Sequence, residues 1–248
     1  MRYLITFSYD GSKFSGYQKQ VDKITVQSEI EHALKIINDN HSVSLVASGR
    51  TDRGVHAINQ KAHFDLNVNI TLDKLKKALN SIISDSIYIK DVIKVNDDFH
   101  ARFNVKFKEY VYKINTLEYN PIEKDYVYQY NHELDIKKMK IALKYLEGTH
   151  NFKAFTKADD IKDDYVRTIY KAKITNKDGI INISFIGNGF MRYMVRNMVG
   201  TLIEIGECKR NPKDIITILE SEDRTKAGKT AHPQGLYLKR VEYNNFKF

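Results

Sequence analysis

Residues 46–60 read VASGRTDRGVHAINQ. Asp52 stands there between two arginines, Arg50 and Arg53, in a turn bounded by glycines at 49 and 54. VSLVAS (43–48) leads into the stretch and QKAHFDL (60–66) leaves it, both with the β-branched and apolar character of strands. A polar loop between two strands carries its side chains at one end of a sheet. In isolation Asp52 reads as a turn residue whose carboxylate bonds the backbone two residues on. The flanking arginines open a second reading, a carboxylate kept ionised for chemistry.

The neighbouring segments complete a pattern. RYLITFSY (2–9) reads as a strand closed by Asp10-Gly11, and TVQSEIEHALKIIN (25–38) sets Val26, Ile30, Leu34 and Ile37 on one helical face. TLDKLKKALNSII (71–83) is a second helix and SIYIKDVIKV (86–95) another strand. The order β-α-β-β-α-β is that of a ferredoxin-like split unit.

The second half reads similarly. KEYVYKINT (108–116) is a strand and DIKKMKIALKYLEG (135–148) a helix. YVRTIYKAKITN (165–176) and GIINISFIG (179–187) form a strand pair across Asp178-Gly179. GFMRYMVRNMVGTLIEIG (189–206) and PKDIITILES (212–221) are helices, and QGLYLKRVEY (234–243) is a closing strand. The predicted fold class is α+β, with two α/β lobes, 1–103 and 104–248, around a central cleft.

Composition narrows the partners. A formal charge of +9 over 248 residues, with a pI near 9.3, points to a polyanion, nucleic acid first, because lysines and arginines displace counterions from phosphates. A solvated lysine-rich surface is the alternative. The single cysteine, Cys208, excludes an intramolecular disulfide and fits a reducing compartment. With no leader-like apolar start and no run of about eighteen apolar residues, a soluble cytoplasmic protein is expected.

Two candidate cofactor signals fail. GNGFMR (187–192) lacks the third glycine of a dinucleotide fingerprint and opens its helix on bulky Phe190. The eight histidines have no metal-ligand spacing. No cofactor and no metal are expected.

The 189–206 helix is apolar in most directions except for Arg192, Arg196 and Gly200 at i, i+4 spacing. If that stripe is buried, Arg196 needs an anionic partner; otherwise it faces solvent. Tyr110 and Tyr112 share one face of a strand, as core aromatics or as a surface on which a base could stack.

GRTDRGVHA (49–57), FHARF (99–103), KEYVYKI (108–114), GFMRYMVRNMVGTL (189–202) and GLYL (235–238) resemble, in order and spacing, the TruA-type tRNA pseudouridine synthases. YDGSKFSGYQKQ (9–20) is similar too, with Tyr17 where the family often has Trp or Phe. The resemblance implies a cofactor-free isomerase that detaches uracil from ribose and rejoins it through C5. It assigns Asp52 as the nucleophile, Tyr110 to contact with the base and Arg196 to pairing with Asp52. Arg50 and Arg53 fit flanking phosphates, with a structural role for one of them the alternative, and His56 joins the substrate-binding set. The implied fold is a pair of ferredoxin-like or RRM-like lobes sharing a mixed, mainly antiparallel sheet with a central basic cleft. The implied assembly is a homodimer that takes tRNA, acting on uridines 38 to 40 of the anticodon stem-loop. A paralogue acting on ribosomal RNA and a non-catalytic RNA-binding protein are the alternatives.

Overall fold

The computed structural model describes residues 1–157 and 164–244; residues 158–163 and 245–248 of the second predicted lobe lie outside that range. The chain divides into two compact units, one made of Met1–Lys106 with the segment from Tyr237 onward, the other of Phe107–Leu236. The closing strand thus belongs to the first unit, although the sequence reading gives it to the second lobe. Its pairing explains why: Tyr237 and Leu238 lie parallel to His56 and Ala57.

In the first unit the elements are β1 (Arg2–Tyr9), α1 (Val26–Ile37), β2 (Val46–Ala47), β3 (His56–Asp65), α2 (Leu72–Ile82), β4 (Ile87–Val95) and the closing strand β10 (Leu236–Tyr243). This is the predicted split order. β1 lies between β3 and β4, antiparallel to both, in registers that set Tyr3 against Phe64 and Tyr9 against Ile87. Tyr3, Leu4, Ile5 and Phe7 of β1 are buried, as expected of a central strand. The helices contribute Val26, Ile30, Ala33 and Leu34 from α1 and Leu75 and Leu79 from α2. α1 starts in a capping box in which Ser28 N–H donates to Thr25 Oγ1 at 3.2 Å and Thr25 N–H to Ser28 Oγ at 3.0 Å. A cap of this kind is worth about 1 kcal/mol.

One edge of β3 is divided between two strands. β2 takes Ala62 and His63, antiparallel, while β10 takes His56 and Ala57. β2 is two residues long, where VSLVAS predicts six: Val46 and Ala47 alone pair with His63 and Ala62 as strand residues. The chain from Ser48 to Val55 leaves the sheet as a loop. β3 itself starts at His56, four residues before the predicted strand.

The second unit holds β5 (Val105–Asn115, which starts just inside the first unit), β6 (Tyr128–Gln129), α3 (Ile136–Lys144), β7 (Gly148–Asn151), β8 (Val166–Lys177), β9 (Ile180–Gly187), α4 (Met194–Gly206) and α5 (Asp214–Ser221). Its strands run in the order β5-β9-β8-β7, antiparallel throughout, with β6 parallel to β5. Asp178 and Gly179, both at positive φ (51° and 77°), join β8 to β9 in the hairpin the sequence predicts. Met139, Ala142 and Leu143 of α3 are buried, as are Met198, Val199 and Leu202 of α4 and Ile183 and Phe185 of β9.

α4 begins at Met194, five residues later than predicted, since Tyr193 before it sits at φ 64° in the left-handed region. Arg192 thus precedes the helix, and the predicted stripe shrinks to Arg196 and Gly200. The α+β class with mainly antiparallel sheets is borne out. No helix among the described residues is long and apolar enough to cross a membrane.

Candidate active site

The 48–55 loop is held from beneath by buried polar side chains of the first unit. Ser48 Oγ donates to Gln60 Oε1 at 2.7 Å, and Gln60 Nε2 donates to the Gly49 carbonyl at 2.9 Å. On the next residues, the Thr51 carbonyl accepts from Tyr17 N–H at 3.1 Å, and Thr51 Oγ1 lies 2.8 Å from the Tyr9 hydroxyl. Val55 N–H then donates to the Asp52 carbonyl at 3.1 Å, closing a turn in which Gly54 has φ 80°. Only a residue without a Cβ takes that φ freely. The backbone is fixed on both sides of Asp52, which is half-buried, while Arg50 and Arg53 are exposed.

Burial pushes the Tyr9 phenol up to about 12 and the Tyr17 phenol well above its ordinary value. Both rings therefore stay neutral near neutral pH and can act as donors. Tyr9 pairs with Thr51; the Tyr17 hydroxyl is buried with no hydrogen-bond partner among the described residues. Gln60 is 0% exposed. The sequence reading passed over Gln60 and Tyr9, although a glutamine on an inward position of an otherwise apolar strand signals a buried polar network.

His56 is 2% exposed, with its ring stacked on Tyr237 at 4.7 Å between centroids. Gly11 N–H donates to its Nδ1 at 3.1 Å, which leaves the ring proton on Nε2. The Asp10 carboxylate lies 3.3 Å from the same Nδ1, within ion-pair distance of a protonated ring. A Cβ at Gly11 would lie 2.0 Å from the Val55 carbonyl oxygen. Glycine at that position lets the first turn of the chain lie against the end of the loop, and His56 ties the two together.

Two further residues of the predicted site belong to the second unit. Tyr110 on β5 is 8% exposed and meets Phe190 edge to face at 5.1 Å. Arg196 on α4 is half-buried; its Nε–H donates to the Ala231 carbonyl at 2.8 Å and its guanidinium lies 4.8 Å from the Tyr193 ring centre. Arg192 lies 5.4 Å from the same ring. A bulky residue at positive φ costs on the order of 1–3 kcal/mol and is kept where the surroundings fix it. Asn197, fully buried beside Arg196, donates its N–H to the Tyr193 carbonyl at 2.8 Å. Its Nδ2 donates to the Phe155 carbonyl at 2.7 Å, and its Oδ1 accepts from Arg224 at 3.0 Å and from Thr230 Oγ1 at 2.7 Å.

The structure thus brings Asp52, Arg50, Arg53 and His56 together on one loop and strand end, and Tyr110 and Arg196 into the other unit. A carboxylate in a braced loop flanked by guanidinium groups suits attack on an electrophilic carbon of a polyanionic substrate. A family profile described as tRNA pseudouridine synthase matches residues 5–104 and 142–244, spans that include the Asp52 loop and α4.

The chain belongs to the tRNA pseudouridine synthase family.

Among its relatives in this isomerase family, tRNA pseudouridine synthase A of Geobacillus sp. (strain WCH70) is 47% identical over 97% of each chain. The protein of the same name from Anoxybacillus flavithermus (strain DSM 21510 / WK1) is 45% identical over 97% of this chain and 98% of its own. That of Listeria monocytogenes serotype 4a (strain HCC23) is 46% identical over 98% and 99%. A chain of a Cbf5-Nop10-Gar1 complex, known from a crystal structure, aligns at TM-score 0.32 and 11% identity, over 81% of this chain and 54% of that one. Tyr110 lies outside the two matched spans, while Asp52 and Arg196 lie inside them.

Proposed function

We propose that this synthase converts uridine to pseudouridine at positions 38 to 40 of the tRNA anticodon stem-loop, with Asp52 as its nucleophile. The observation that carries the reading is the Asp52 loop, hydrogen-bonded on both sides of the aspartate and flanked by exposed arginines. A stacked base is out of reach of any side chain, so the target nucleotide must be turned out at a cost of a few kcal/mol. Arg50 and Arg53 offset that cost through the adjoining phosphates, and His56 positions the loop from below.

The reaction is an isomerisation. The C1′–N1 bond breaks, the uracil turns, a C1′–C5 bond forms, the C5 hydrogen leaves as a proton and N1 takes one up. An ionised Asp52 begins it by attack on C1′ or C6, or by removal of a sugar proton. Arg196 is the proposed partner of the Asp52 carboxylate and Tyr110 the proposed contact of the base. A homodimer acting in the cytoplasm belongs to the same reading.

The test is to incubate the protein with unmodified tRNA transcripts carrying uridine at 38, 39 and 40, then map pseudouridine by carbodiimide labelling and primer extension. Stops at those positions are expected. Stops only elsewhere in tRNA would overturn the anticodon assignment, and modification of ribosomal RNA alone would favour the paralogue.

A further inference from the structure

Phe103 is 76% exposed, an unusual position for a phenylalanine in an ordered turn. Its ring stacks on His100 at 4.2 Å between centroids and 25° between planes, and the Arg102 guanidinium lies 5.9 Å from its centre. Little of this ring is covered by folding, so hydrophobic burial does not account for it.

The turn that presents it is rigid. His100 N–H donates to Asn104 Oδ1 at 2.6 Å, and Asn104 N–H returns a bond to the His100 carbonyl at 3.1 Å. Arg102 N–H and Phe103 N–H both donate to His100 Nδ1, at 3.2 and 3.3 Å. Two donors on Nδ1 place the ring proton on Nε2. Beneath the turn, Ala101 N–H donates to His63 Nδ1 at 3.1 Å, the Ala101 carbonyl accepts from the Tyr243 hydroxyl at 2.8 Å, and Arg2 donates to the Phe99 carbonyl at 2.9 Å.

We propose that Phe103, backed by His100 and flanked by Arg102, is a second RNA-contacting site, on which an unpaired base of the substrate stacks. Arg102 and the His100 Nε2–H supply donors for the adjoining phosphate. A rigid aromatic face beside a guanidinium is the chemistry that holds an unstacked nucleobase. The place of the turn makes the site separate from the catalytic loop. That loop enters β3 at His56, whereas the Phe103 turn rests on His63, seven residues along the same strand, or about 23 Å at roughly 3.3 Å per residue. A substrate reaching both points is a structured RNA rather than a short oligonucleotide. The inference rests on the reading of the chain as an enzyme acting on RNA.

The experiment measures binding of an unmodified tRNA transcript to the full chain by fluorescence anisotropy at several salt concentrations, with melting curves as a check on folding. Phe103→Leu keeps apolar volume and removes the aromatic face. It is expected to raise Kd roughly 5- to 150-fold, the range for one stacked base, with an unchanged dependence on salt. Phe103→Tyr is expected to bind within about twofold of wild type, given the stacking it retains. Equal affinity of the Leu variant and wild type would overturn the proposal while leaving the proposed activity standing. Wild-type protein that binds no tRNA would overturn both. A Leu variant with unchanged affinity but an altered sedimentation coefficient would assign the ring to a contact between copies of the chain instead.

Discussion

The Tyr9 hydroxyl lies 2.8 Å from Thr51 Oγ1, one residue before Asp52. Both residues are buried, at 5% and 8% exposure. Tyr9→Phe strips the bond and leaves the threonine hydroxyl desolvated, a loss of about 1–3 kcal/mol. Urea denaturation is expected to report it. Because the bond holds the backbone next to the proposed nucleophile, turnover is expected to fall further than the lost stability alone explains. Wild-type turnover at saturating tRNA would remove Tyr9 from the positioning of the loop.

For Arg196 the bond to the Ala231 carbonyl and the stack on Tyr193 give the guanidinium two structural tasks besides its proposed pairing. Arg196→Met keeps much of the volume and loses both the donor and the charge. Activity is expected to drop at least about 100-fold, the scale of one lost preorganised charge contact. Arg196→Lys, which keeps the charge but not the planar fork, is expected to fall between. Equal kcat/KM for the Met and wild-type enzymes would end the catalytic assignment.

His63 links stability to pH. Burial first, with the Arg2 guanidinium and the neighbouring His100 ring behind it, pushes its pKa from 6.5 down to about 4. The unfolded chain therefore binds a proton that the folded chain refuses between those values, so stability is full above about pH 6.5 and is lost as pH falls towards 4. Protonating Nδ1 would also break its bond from Ala101 N–H. His63→Asn, which keeps an acceptor near Nδ1 and cannot titrate, is expected to flatten the unfolding free energy across that window. An unaltered pH slope would mean that other groups set it.

Much of this was legible in the sequence, and the exceptions have physical causes. Strand and helix periodicity identified the split β-α-β-β-α-β unit, because a half-buried element writes its apolar face into the sequence spacing. The two-residue β2 was not legible, since Val43 and Leu45 are buried as strand residues would be while only Val46 and Ala47 pair with β3, and apolar character records burial rather than pairing. The late start of α4 depends on the left-handed Tyr193, a conformation that residue type does not announce. Among site residues, Asp52 stood out by its arginine neighbours. Tyr9, Thr51 and Gln60 looked like ordinary strand or loop residues until their hydrogen bonds tied them to the same loop.

The chemistry itself is read by tritium. Joining C1′ to C5 expels the C5 hydrogen, so tRNA made with uridine tritiated at C5 is expected to release label to water with wild-type protein. Asp52→Asn preserves the shape of the side chain and removes its charge and nucleophilicity. The variant is expected to bind the same tRNA and release essentially no label above background. Release by the Asn variant at wild-type rates, or no release by the wild type from any unmodified tRNA, would contradict the assignment of Asp52 as the nucleophile of a tRNA pseudouridine synthase.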